Sequence, residues 1–271
     1  MTDPLLALIT SGVTIYDLGQ QLRVGMPQSP NHPQFWHSLP RRHGDMVRSD
    51  GGSAANDLIT TGTHVGTHID ALAHVSHDGK LYGGADAEES CIGGRFVSHG
   101  VHTIPPMVIR AVLIDVAGHK SVDCLDGGYE ITLADIRDAL ASQKTEVRSG
   151  DVVLIRSGWG GKFNDYDGYM GRDSGVPGIG AEAAEWLALQ GVAVVGADST
   201  ALEVVQGSKG HAELPVHRIF LVEHGIYIIE TMFLEELALA AHYEFTLVLV
   251  PLNIFGATGS PLRPLALVAE K

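Results

Sequence analysis

The sequence predicts a single α/β domain built on a mixed β-sheet. Three observations lead there. Apolar runs of buried-strand type alternate with amphipathic helical stretches through the middle of the chain. The last third is mostly strand. No internal repeat, low-complexity tract or linker divides the chain, whose 271 residues, 45% of them hydrophobic, suffice for one large core or two modest ones. The 33 Gly and 12 Pro imply many tight turns.

Taken in order, residues 14–30 (TIYDLGQQLRVGMPQSP) read as a short strand followed by a turn-rich loop. Residues 31–36, with Phe35 and Trp36, continue as irregular loop, so 1–50 form an N-terminal arm and loop. Its aromatics either pack on their own subunit or approach an active site or subunit interface. Arg42-His43-Gly44-Asp45 and Ser49-Asp50-Gly51-Gly52 carry turn chemistry, and residues 54–61 lead into a His-rich strand. His77-Asp78-Gly79-Lys80 is a tight turn centred on Asp-Gly. His77 there is solvated or faces substrate, with Lys80, Tyr82, Gly83 and Gly84 on the rim. Residues 110–117 (RAVLIDVA) and 151–156 (DVVLIR) are buried strands. Between them 132–142 form a helix, with Thr132 and Asp135 in capping-box spacing and Leu133, Ile136 and Leu140 on one face. Residues 180–190 form a second helix closed by Gly191, and 192–197 a strand ending at Asp198. Strands follow at 225–230, 245–252 and 264–268, with a short helix near 234–241.

Composition excludes several classes. A formal net charge of −14, with no basic cluster larger than Arg41-Arg42, argues against nucleic acid. No run approaches the roughly 20 apolar residues of a membrane helix. The start, MTDPLLALITSG, lacks a cationic segment, and Cys91 and Cys124 are isolated, so a cytoplasmic protein with free or buried thiols is expected. The Gly-rich loops at 157–161 and 175–180 lack GxGxxG or a Walker Lys, and no GxSxG is present.

The chemistry concentrates between Gly62 and Gly84, where four His and two Asp occur. Read as a strand, 64–70 point His64, Gly66, His68 and Asp70 to one face and Val65, Thr67 and Ile69 to a core. Gly66 then leaves the gap between the two imidazoles open. Two imidazoles and a carboxylate on one face suit Zn²⁺ or Mn²⁺. A helical HExxH site is excluded, because the residue after His64 is Val65 and Val65-Gly66-Thr67 form helix poorly. The plainer alternative, ordinary hydrogen-bonded histidines, fits a lone His better than this set, with His74 following.

His64-x-Gly66-Thr67-His68-x-Asp70-x-x-x-His74 resembles the HxGTHxDxPxH signature of the metal-dependent cyclase family, which includes bacterial kynurenine formamidases and isatin hydrolases. The family's frequent Pro is Leu72, and Ala71-Leu72-Ala73 looks closer to the isatin hydrolase branch. Asp17-Leu18, Gly25-Met26-Pro27, His217-Arg218, residues 225–230 (GIYIIE) and 256–261 (GATGSP) extend the resemblance over nearly the whole chain. It implies one metal-dependent hydrolase domain over 1–271, with a barrel-like sheet and flanking helices, assembled as a homodimer or homotetramer. It further implies a small-molecule substrate (an amide, cyclic amide or lactone) attacked by water at a Mn²⁺ or Zn²⁺ site. His64, His68 and Asp70 would hold the ion and His74 accept the proton as general base. His217 and Glu230, with Asp70, would bind a second ion or only position water and substrate. They lie one residue further apart than the family's pair, which puts an extra residue near 222–224. His211 and Glu223 have the family spacing, but the flanking GIYIIE text anchors Glu230. The rival class is a metal-binding protein without turnover; a spare base at His74 argues for the enzyme.

Overall fold

Four apolar runs lie side by side as parallel strands, which is why each is hydrophobic on both faces. They are Met107–Asp115 (β3), Val152–Arg156 (β4), Val194–Ala197 (β5) and Tyr227–Glu230 (β6). In this computed structural model, which describes residues 3–207 and 213–270, five further strands flank them antiparallel. On one side stand Glu244–Leu249 (β7), Leu265–Ala269 (β9) and Val13–Asp17 (β1). On the other stand His68–Asp70 (β2) and Gly259–Pro261 (β8). The nine-stranded order is β1-β9-β7-β3-β4-β5-β6-β2-β8, and the mixed sheet curls into a half-barrel.

Alternation along the strands divides the core. Val112, Ile114, Val153, Ile155, Val195 and Ile228 face a helical layer; Ala111, Leu113, Val152, Leu154, Val194 and Ile229 face the inside of the curl. The helical layer holds Leu133–Gln143 and Ala181–Leu189. The first starts with the expected capping box of Thr132 and Asp135; the second ends ahead of Gly191, in the left-handed region at φ +74°. A third cluster, with Met26, Phe35, Val65, Trp159 and Tyr169, lies under the histidine-rich segment.

The arm differs from its expected irregular loop. Trp36–Arg41 and Asn56–Thr60 pair as an antiparallel hairpin bulged between Ser38 and Arg41, and Pro4–Ser11 is a helix. Short strands and Pro40 hide the hairpin from hydrophobic periodicity. Phe35 is buried beneath it, whereas Trp36 is 57% exposed.

Candidate metal and active site

The site forms where strands β5 and β6 end, at the carboxyl edge of the parallel strands, where α/β sheets open a crevice. Residue by residue, β2 contributes first. Placed between β6 and β8, it sets His68 directly opposite Glu230, so the two side chains share a face. Ile69 turns into the core and Asp70 returns to the site, as alternation requires.

The strand does not reach back to His64, contrary to the reading of 64–70 as one strand. Gly66 sits at φ +67°, a bend that only glycine adopts readily, and an added Cβ would meet Leu22 at 2.3 Å. Gly66 therefore turns the chain; it does not hold open a gap between imidazoles. Thr67 faces no core: its hydroxyl donates to the Thr231 carbonyl and accepts from Gln20 N–H. His64 arrives through this bend, its ring 5.3 Å from that of His68. Space for it is cleared by Gly259, where a Cβ would come 2.6 Å from its Cε1. After β2, a turn closed by His74 N–H on the Ala71 carbonyl stacks His74 on His64, ring centres 3.8 Å apart.

From across the sheet come His217 and Glu230. His217 Nε2 lies 3.1 Å from Glu230 Oε1 and 3.9 Å from Asp70 Oδ2. His68 Nε2 lies 3.4 Å from Asp70 Oδ1 and 3.6 Å from Glu230 Oε2. Ligand atoms of His64, Asp70 and His74 fall within 4.8 Å of one another, and so do those of Asp70, His217 and Glu230. Asp70 belongs to both groups. Between His217 and Glu230 the chain runs through a π-helical turn, Arg218–His224. Glu223 faces Arg218 at the surface instead, and His211 lies outside the described residues.

The outward nitrogen of three rings is engaged. His68 Nδ1–H donates to the Gly66 carbonyl at 2.8 Å; His217 Nδ1–H donates to Glu203 Oε1 at 2.6 Å. His64 Nε2 bonds the Thr258 hydroxyl at 2.8 Å, with its Nδ1 2.6 Å from Asp70 Oδ1. This is how metal-binding imidazoles are oriented. Asp70 Oδ2, by contrast, is buried with no hydrogen-bond partner among the described residues. A buried carboxylate oxygen facing imidazole nitrogens and lacking a proton donor fits a cation between them.

Electrostatics agree. Burial alone would lower His68, but the Asp70 hydrogen bond and the charges of Asp70 and Glu230 push it up to about 9. His217 rises against burial to about 10 through Glu203 and Glu230. Asp70 falls well below the usual carboxylate range: burial would raise it, and the surrounding His74, His64 and His68 overcome that. His74 is lowered to about 3, mostly by burial and then by its neighbouring imidazoles, against the pull of Asp70, so it keeps its lone pair. Its place beside Asp70 gives it ligand geometry as well as that of a base.

Sequence reading missed Glu203, which is 2% exposed and also accepts from the Val216 and His217 backbone N–H groups. Its apolar neighbours, Ala201-Leu202 and Val204-Val205, carry the same signal that marks Glu230. Leu202 (φ +56°) and Thr231 (φ +58°) each adjoin a site carboxylate, Glu203 and Glu230, in a conformation that costs non-glycine residues about 1–3 kcal/mol. The arm contributes Pro27, Gln28, Ser29, Asn31 and His32 to the walls of the cavity of about 270 Å³; Phe35 and Trp36 are not among them. His77, Lys80 and Tyr82 are not among its walls either; His77 and Lys80 close an Asp78-Gly79 turn, and Tyr82 packs against Gly225.

Comparison with known proteins agrees with the fold and the motif. The family model for Cyclase matches residues 16–204. The kynurenine formamidase of Erythrobacter litoralis (strain HTCC2594) is 29% identical over 89% of this chain and 87% of its own. That of Bacillus thuringiensis (strain Al Hakam) is 23% identical over 91% and 94%. The crystal structure of a novel cyclase superimposes with a TM-score of 0.84, 31% identity and coverage of 98% of this chain and 93% of that one. Isatin hydrolase A from Labrenzia aggregata shares the fold at a TM-score of 0.74 and 24% identity, over 98% of both chains. With most of its length matched by the family model and a 31% identical structure covering nearly all of it, this chain belongs to the Cyclase family.

Proposed function

We propose that the protein is a metal-dependent hydrolase that opens the C–N bond of a small aromatic amide or cyclic amide. One observation carries the reading: among the described residues, two histidine–carboxylate groups converge on Asp70, whose Oδ2 is buried without a proton donor. The kynurenine formamidase and isatin hydrolase relatives support amide hydrolysis. The formamidase matches are 23–29% identical and the isatin hydrolase structures 20–24%, so identity alone does not assign a branch.

His64, His68 and Asp70 would hold the ion, Mn²⁺ or Zn²⁺, with His217 and Glu230 completing a second position around Asp70 or orienting water and substrate. Such an ion supplies Lewis-acid polarisation of the carbonyl and acidifies water. The chain's own residues do the rest. His74, stacked on His64 beside Asp70, accepts the proton of the attacking water and returns it to the leaving nitrogen. Glu203 and the Gly66 carbonyl hold the His217 and His68 rings with Nε2 inward. Gln28, Asn31 and His32 wall the substrate space. We place the enzyme in the cytoplasm as a homo-oligomer; no described helix is long and apolar enough to cross a membrane.

The test is a panel of isatin, N-formylkynurenine, cyclic imides and aromatic lactones, each with apo-protein reconstituted with Mn²⁺ or Zn²⁺. Hydrolysis of an amide or cyclic amide is expected. Turnover of lactones alone moves the reading to C–O bonds, and no turnover with either ion overturns it.

A further inference from the structure

The backbone just beyond Glu230, the last residue of β6, is strained. Thr231 sits at φ +58°, left-handed, where a β-branched residue is a genuine outlier. Such a conformation persists only where its surroundings hold it. The antiparallel register with β2 pairs Ile228 with Asp70, Ile229 with Ile69 and Glu230 with His68, so the next pair would be Thr231 with Thr67. The ladder stops short of that pair. Thr231 N–H turns away and donates to the Ser199 carbonyl at 2.9 Å, past the end of β5.

Thr67 meets Thr231 with its side chain instead. Its hydroxyl donates to the Thr231 carbonyl at 2.5 Å and accepts from the Gln20 N–H at 2.8 Å. The second bond directs the first: a hydroxyl has one proton, and with Gln20 on the lone-pair side that proton goes to Thr231. The Thr67 carbonyl accepts from Leu262 N–H at 2.9 Å, which fixes the residue toward β8 as well. Thr67 is 2% and Thr231 5% exposed, so solvent does not stand in for the bond between them. Glu230 is joined to Thr231 by one peptide unit. Its Oε1 lies 3.1 Å from His217 Nε2 and its Oε2 3.6 Å from His68 Nε2. A Thr231 released into the extended region would carry that unit, and the carboxylate, off both rings.

We propose that Thr67 is a positioning residue for Glu230: its hydroxyl holds Thr231 left-handed and so keeps the Glu230 carboxylate turned to His217 and His68. The proposal rests on the hydrolase reading above for the ion that Glu230 would help to hold, and adds the group that presents Glu230 to it. If Thr67 merely filled buried space, valine would serve as well, because it keeps the shape and lacks only the hydroxyl.

The test compares Thr67→Val and Thr67→Ser, by crystal structures of the metal-free protein and by calorimetric titration with Mn²⁺. In Thr67→Val, Thr231 is expected to leave the left-handed region and Glu230 to part from His217, while His68 keeps its bond to Gly66. Mn²⁺ affinity should fall by about 10- to 100-fold, as when an outer partner of a metal site is lost. Thr67→Ser keeps the hydroxyl and should match the wild type in both respects. Thr231→Gly added to Thr67→Val should return Glu230 to His217 and recover part of the affinity, because glycine takes left-handed backbone without steric cost. Glu230 unmoved in Thr67→Val, His68 displaced in its place, Thr67→Ser behaving like Thr67→Val, or Glu230 still displaced in the double variant overturns the proposal. Should Thr67→Val not fold, Thr67→Ser and the double variant decide by the same criteria. If Glu230 moves and Mn²⁺ affinity holds, the positioning stands and Glu230 is no ligand. A wild type that binds no Mn²⁺ counts against the hydrolase reading, while the crystal structures still decide the part played by Thr67.

Discussion

Glu203 offers a quantitative test of how the site is held. Its carboxylate accepts from His217 Nδ1–H at 2.6 Å and from two backbone N–H groups at 3.2 Å, all buried. Through the first bond it fixes the His217 tautomer that turns Nε2 toward Asp70 and Glu230. Glu203→Gln keeps the shape, removes the charge and sets an amide NH₂ where an acceptor is needed. Loss of such a partner typically weakens metal binding by about 10- to 100-fold, which is about 1.4–2.7 kcal/mol at 1.36 kcal/mol per decade. Calorimetric titration of apo-protein with Mn²⁺ and Zn²⁺ reads the effect, with circular dichroism as a folding control. The decisive comparison repeats Glu203→Gln in a His217→Ala background. If Glu203 acts through His217, the second substitution adds little there, because the two residues form one unit. Unchanged affinity in the single variant, or a full effect that persists without His217, would refute the assignment.

Four further outcomes are expected. His68→Ala should lose bound metal with the far-ultraviolet spectrum intact, since His68 faces the site and not the core; a retained full metal equivalent argues against it as a ligand. His74→Ala should keep its metal and lose about 10²–10⁴ in rate; a fall in metal content would make His74 a ligand instead of the base. With His68 near 9 and His217 near 10 in the metal-free protein, both are cationic at pH 7. Metal uptake there should release about two protons and weaken by up to about 100-fold per pH unit of acidification, measurable by calorimetry in buffers of different ionisation heat. By the same shifts, both upward from 6.5, the stability these groups lend the apo-protein is complete below that value and lost as pH rises through 9 to 10. Apo-protein that gains stability across that interval would contradict them. Finally, the arm hairpin exposes Trp36, Leu58 and Ile59 by 57–60% of their surface, and a two-stranded ribbon is marginal alone in water. A second copy of the chain is the proposed cover. Ile59→Asp should therefore shift sedimentation toward monomer; an unchanged assembly, or a monomeric wild type, would exclude that contact.

The elements legible in the sequence are those whose signal is local. Strands β3 to β6 carry continuous apolar runs, and the Thr132–Asp135 box and Gly191 punctuate their helices within a turn or two. The ligand run from His64 to His74 is equally local, so its residue types announce the chemistry even though the backbone between His64 and His68 is a bend. That residues 218–224 form a π-helical turn is visible only in the fold.

What the chain alone left open is whatever depends on distant segments meeting. Glu203, Thr258 and Gly259 sit far from the motif in sequence and bear no periodic pattern tied to it. They reach it because the sheet places β2 between β6 and β8 and because Leu202 and Thr231 adopt left-handed backbone beside the carboxylates. The arm's Gln28, Ser29, Asn31 and His32 reach the cavity in the same way. Residue type and spacing determined which groups could bind a metal and move a proton. Strand order decided which of them face one another, because pairing is set by burial and hydrogen bonding summed over the whole sheet, which no single segment of sequence encodes.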